Sequence, residues 1–105
     1  MNRPVIPIAA LALAAALASG AIAQSAPYKG HELAARAAVS IAAARAVALK
    51  ARPGVVTDQE LEKEPGGSGL RYSFDIRSGG KTYEVGVDAR TGKVLENGAE
   101  GTNPD

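Results

Sequence analysis

The sequence predicts an α+β domain, with one main helix packed on an antiparallel meander of three or four strands. Three observations carry this. Leu70, Tyr72, Phe74 and Ile76 alternate with Arg71, Ser73, Asp75 and Arg77, the period of a strand with one buried and one wet face. Tyr83, Val85 and Val87 repeat the alternation, with Thr82, Glu84 and Asp88 expected to face out, and Gly79-Gly80 between the two runs is a hairpin signal. Upstream, Ser40 to Arg52 is Ala-rich and carries one narrow apolar stripe, as a helix resting on a sheet should.

Taken in chain order, the first segment is a targeting signal. Arg3 precedes a run of Ala, Leu and Ile from Val5 to Leu17, Ser19-Gly20 breaks it, and Ala21-Ile22-Ala23 is a small-x-small site. This pattern predicts a secretory signal peptide over 1–23, cleaved after Ala23. The apolar run is shorter than the ~20 residues of a spanning helix, so no membrane span is expected after cleavage. The expected location is periplasmic or secreted. Cleavage removes Arg3 and leaves Lys and Arg equal in number to Asp and Glu. A charge near zero gives no push toward nucleic acid or an anionic membrane. The chain has 105 residues and no Cys, so a single small core must hold it without disulfide staples.

Residues 24–37 are expected to form a linker, loose from Gln24 to Gly30, with a short helix over His31 to Ala37. Ser40 is a suitable N-cap for the main helix. Ile41, Ala44, Val47, Ala48 and Ala51 fall within about one third of its circumference, and Leu49 lies off that stripe. Pro53-Gly54 stops the helix. Val55 to Glu64 reads as a strand, with Val55, Thr57, Gln59 and Leu61 on one face. Asp58, Glu60, Glu62 and Glu64 share the other face with Val56. Pro65 to Gly69 reads as a flexible connector. Asp88 to Gly92 reads as a tight turn opened by Asp and closed by Gly, and Lys93 to Glu96 as a short last strand. Residues 98–105 are expected to be a disordered tail, with the polar character starting at Asn97. Val55, Val94 and Leu95 are counted with the core.

The sequence holds no set of catalytic or metal-binding residues. His31 is the single histidine, and the residue four positions after it is Ala35, so His31-Glu32 does not open a zinc-protease motif; one His and no Cys do not build a zinc site. Gly80-Lys81-Thr82 resembles the end of a phosphate-binding loop, but a strand follows where that loop needs a helix. Asp88 to Gly92 lacks the remaining ligands of a calcium loop. No enzyme activity, cofactor or metal is expected. Asp58, Glu60, Glu62 and Glu64 are the candidate partner-binding residues. The competing account is a solvated face that protects a strand edge.

The ordered run has a family likeness. Val39-Ser40-Ile41 leads to Ala48-Leu49-Lys50-Ala51-Arg52-Pro53-Gly54, then Tyr72-Ser73-Phe74-Asp75-Ile76, then Val85-Gly86-Val87-Asp88-Ala89-Arg90-Thr91-Gly92-Lys93-Val94. This resembles the PepSY domain over 38–97, and the closing Val-Asp-Ala-x-Thr-Gly-Lys-Val stretch is the most specific part. The resemblance implies an exported α+β module without catalytic residues. It also implies a partner in the cell envelope, a peptidase among the choices, that the module inhibits or regulates. The alternative is a structural or ligand-sensing envelope module with no peptidase partner.

Overall fold

The computed structural model describes residues 27–101; the signal-peptide reading of residues 1–23 and the last four residues of the predicted tail lie outside them. The described chain is α+β, as predicted. A 3₁₀ turn, His31–Arg36, is followed by helix α1 (Ile41–Ala51) and strands β1 (Val55–Lys63), β2 (Leu70–Ser78), β3 (Lys81–Asp88) and β4 (Val94–Ala99). The strands form one sheet in the order β1-β2-β3-β4, with every neighbouring pair antiparallel.

Helix α1 forms where predicted. The Ser40 side chain accepts a hydrogen bond from the Ala43 N–H at 3.1 Å, which satisfies one of the donors that a helix start leaves open. Ile41, Ala44 and Ala48 are buried, and Val47 and Leu49 pack half-buried against the same core. The small alanines bring the helix close to the inner face of the sheet. Tyr72, Phe74, Ile76, Val85 and Val87 are almost fully buried there, joined by Leu61 from β1. Tyr72 and Phe74 stack with ring centroids 6.3 Å apart, and the Tyr72 hydroxyl donates to the Val39 carbonyl at 2.7 Å. That bond ties β2 to the residue before the helix. Burial, with the neighbouring Tyr28, pushes the Tyr72 hydroxyl up to about 12.

The β2–β3 hairpin has the predicted two-residue turn. Gly79 and Gly80 both have positive φ, 59° and 83°, which this turn needs and which glycine adopts without steric cost. Two other expectations about facing change because of irregularities in the ladder. The β1–β2 register shifts between Val56 and Asp58. An inserted residue moves every side chain beyond it to the opposite face. Val56, rather than Val55, therefore packs on the core, and Val55 is 66% exposed. A second shift interrupts the β3–β4 ladder at Gly86 and Val87, and Val94 is 42% exposed instead of buried.

The ends are more ordered than their composition implies. Strand β4 continues through Asn97 and Gly98 to Ala99, past the predicted end at Glu96, and the Glu100 N–H still donates to the Thr82 carbonyl at 2.8 Å. Asn97 also reaches α1: its side-chain oxygen accepts from Arg52 at 3.1 Å, and its amide donates to the Ala51 carbonyl at 3.4 Å. A polar residue that caps a neighbouring helix has no apolar period, so composition hid it. The Arg52 guanidinium lies 3.8 Å from the Tyr83 ring centroid, a cation–π contact. Tyr28 to Gly30, expected to be loose, are pinned to β1, because the Leu61 N–H donates to the Lys29 carbonyl at 2.9 Å. At Gly30 an added Cβ would lie 1.7 Å from the Leu61 carbonyl oxygen, so only glycine permits this approach.

Candidate functional site: an acidic sheet face and a buried aspartate

Among the described residues, one face of the sheet is covered by α1 and the other has no helix or strand packed over it. On the second face, β1 contributes Asp58, Glu60 and Glu62, whose register partners on β2 are Asp75, Ser73 and Arg71. Asp75 in turn stands opposite Glu84 on β3, and Glu96 stands opposite Gly86. Of the predicted partner-binding residues, the structure thus gathers Asp58, Glu60 and Glu62 on one face. Glu64 lies beyond the end of β1, where its N–H donates to the Gly69 carbonyl at 3.1 Å and closes the connector.

Asp75, Glu84, Glu96 and Glu100 were missed as members of this surface. One carboxylate oxygen from each of Asp75, Glu84 and Glu100 lies within 4.8 Å of the others. A signal for the first pair was present. A two-residue hairpin at Gly79-Gly80 fixes the register, and counting back from Ser78↔Lys81 places Asp75 opposite Glu84. Glu100 had no such signal, because its place depends on the irregular β3–β4 ladder.

Cations neutralise this face only in part. Glu60 pairs with Lys29 at 3.7 Å, and Glu96 pairs with Arg71 at 3.3 Å. The Arg71 side chain crosses over Gly86, where an added Cβ would lie 2.9 Å from its Cδ. Glu62 accepts a hydrogen bond from the buried Ser73 hydroxyl at 2.9 Å. The remaining carboxylates repel one another. Burial pushes the Glu84 carboxyl up to about 7, helped by the charges of Glu96, Asp75, Glu100 and Glu62. Burial likewise raises Asp75, helped by Glu100 and Asp58. At neutral pH the Glu84 carboxyl is therefore partly protonated, and a positive charge placed beside it would favour its ionised form. The face is suited to receiving cationic groups.

The most specific sequence motif has a structural role. Asp88 was expected to face out, yet it is 1% exposed. Its Oδ2 accepts from the Ser68 N–H at 2.6 Å. Its Oδ1 accepts from the Ser68 hydroxyl at 2.8 Å, the Arg90 N–H at 2.8 Å and the Thr91 N–H at 3.1 Å. Burial pushes its carboxyl up, but these donors outweigh burial and hold it at about 2. The connector Pro65 to Gly69, read as flexible, is fastened to the β3–β4 turn through Ser68. Next to Asp88, the Ala89 carbonyl accepts from the N–H groups of Ala38 and Val39 at 3.0 and 2.9 Å, and the Ala89 N–H donates to Leu70 at 2.9 Å. Asp88-Ala89 thereby joins the start of the helix, the start of β2 and the last turn. Period-two reading placed Asp88 outside because it ignores a buried charge that finds its own donors.

No helix among the described residues is long and apolar enough to cross a membrane. No curated protein and no solved structure gives a significant match to the chain. Residues 38–97 match the family described as peptidase propeptide and YPEB domain. That span opens just before α1 and takes in the whole inner core, the Asp88 turn and β4 as far as Asn97. Domains of this family are generally non-catalytic, propeptide-like modules. The chain belongs to the PepSY family, the peptidase propeptide and YPEB domain.

Proposed function

We propose that this protein is an exported, non-catalytic binding module that regulates a partner in the cell envelope, and that the partner is a peptidase. The acidic outer face of the sheet is its contact surface. The observation that supports this reading is the gathering of Asp58, Glu60, Glu62, Asp75 and Glu84 from three strands on a face that no helix or strand among the described residues covers. Strands of a domain this small can place charged residues outward simply for solubility. Burial, together with the charges of Glu96, Asp75, Glu100 and Glu62, raises Glu84 to about 7, and a basic partner surface would relieve the part of that cost that comes from repulsion. The propeptide-like character of the family supports a peptidase as that partner.

The test is retention of proteins from an envelope extract by the native chain and by the Asp58→Lys/Glu60→Lys variant. A peptidase retained by the native chain and lost by the variant, and inhibited by the native chain in an activity assay, is the expected result. Equal retention by both chains overturns the acidic face as the contact surface. The alternative, a ligand-sensing envelope module, is favoured by the mutual approach of Asp75, Glu84 and Glu100. It predicts a rise in melting temperature with added calcium and no effect on any peptidase.

A further inference from the structure

Away from the acidic face, the structure holds a basic cleft. It has a volume of about 790 Å³ and lies between the end of the 3₁₀ turn, the end of β1 and the start of β2. Arg36, Lys63 and Arg90 line it, and all three are exposed. Among the described residues none of them is in an ion pair, since the pairs present are Lys29–Glu60 and Arg71–Glu96. The nearby carboxylate of Asp88 does not face them as a free acceptor, because Ser68, Arg90 and Thr91 donate to it. Cations brought together around a concavity without counter-charges leave a positive potential in it.

The cleft is also organised for direction. Arg90 is held at both ends: its backbone N–H donates to Asp88, and one guanidinium nitrogen, Nη1, donates to the Arg36 carbonyl. A guanidinium oriented in this way keeps further N–H donors in a planar fork, the geometry that matches a carboxylate. The same cleft is lined by Ala37 and by the buried Leu70, which offer a small apolar floor next to the charges. The volume is in the range of sites that take small ligands, ~300–1,000 Å³.

We infer that this cleft binds the carboxylate end of a short peptide with a small apolar last residue. The carboxylate lies against Arg90, with Lys63 and Arg36 supplying further positive charge, and the last side chain rests on Leu70 and Ala37. Binding here is separate from the acidic face, so the inference stands or falls independently of the proposed contact surface.

The test is titration of the isotopically labelled protein with N-acetyl-dialanine, with its C-terminal amide and with inorganic phosphate, followed by amide shifts. The expected result is saturable movement of the Ala37, Leu70 and Arg90 signals with the acid. The amide should bind about ten-fold more weakly or less, as should the acid to Arg90→Gln or Lys63→Gln, the scale of one lost charged hydrogen bond. Both variants keep the backbone N–H groups of the turn, and an unchanged melting curve distinguishes lost binding from lost folding. Absence of saturable shifts with the acid overturns the inference, as does equal binding of acid and amide. Binding of phosphate in preference to the acid also overturns it, by making the cleft a site for a free oxyanion.

Discussion

The two faces of one sheet obey different rules. On the inner face Leu61, Tyr72, Phe74, Ile76, Val85 and Val87 are almost fully buried beneath α1 and the 3₁₀ turn. There the apolar area removed from water is the main stabilising contribution. On the outer face Asp58, Asp75, Glu84 and Glu100 stand together at a cost in mutual repulsion. The same strands, with the same backbone hydrogen bonds, serve both. The difference indicates that the apolar contribution to the fold comes from one side, while the other side adds polar bonds and some charge repulsion. Asp88 is the exception that joins them. It is a carboxylate, yet it is buried and fully bonded, and it supports the fold.

The largest effect expected on this comparison comes from the inner face. Phe74→Ala should destabilise the protein by ~3–5 kcal/mol, because Phe74 is 0% exposed. Denaturant melts monitored by circular dichroism would check it, and a loss under 1 kcal/mol would mean that the helix does not close over the sheet. Next is Asp88→Ala, which deletes the acceptor for Ser68, Arg90 and Thr91. It should cost about 3 kcal/mol, in the range for hydrogen bonds to a buried charge. Since the folded state holds this carboxyl at about 2, below its usual value of 3.8, its stabilisation is complete above pH 3.8 and is lost as pH falls toward 2. The variant should therefore lose the steepest part of acid unfolding in that window.

A smaller effect, opposite in sign, is expected from the outer face. Glu84 is raised from 4.5 to about 7, so the folded state holds its proton more tightly than the unfolded state does. Its contribution is fully present below pH 4.5 and is lost as pH rises through 7. Glu84→Gln should leave the melting temperature at pH 5 little changed and raise it at pH 8, flattening the pH profile between the two. Thermal melts across that range would show it. An unchanged slope would contradict the burial of Glu84 among the outer carboxylates.

The inner face was legible in the sequence because burial is a one-residue property. The parity of Leu70, Tyr72, Phe74 and Ile76 places each of them without knowledge of any other strand. The outer site is a property of pairs. Asp58, Glu60 and Glu62 were found because they lie on one strand. Asp75 and Glu84 are far enough apart in sequence that only the hairpin register brings them together. The errors have the same origin. The facing of Val55 failed at a bulge that no turn residue announces. The end at Glu96 failed because Asn97 is tied by helix contacts rather than by an apolar side chain. The family signature, in contrast, was recognised whole, but only the structure shows that its Asp88 holds a turn.

The most direct test of the division between the faces is the Asp58→Lys/Glu60→Lys chain, compared with the native chain for peptidase retention from envelope extract at matched folded fraction. Asp58 is exposed and Glu60 is half-buried with a 3.7 Å ion pair to Lys29, and the loss of such a pair costs about 1 kcal/mol or less. The account therefore predicts a protein that melts like the native one and no longer retains the peptidase. Undiminished retention, or unfolding on the scale of Phe74→Ala, would contradict it.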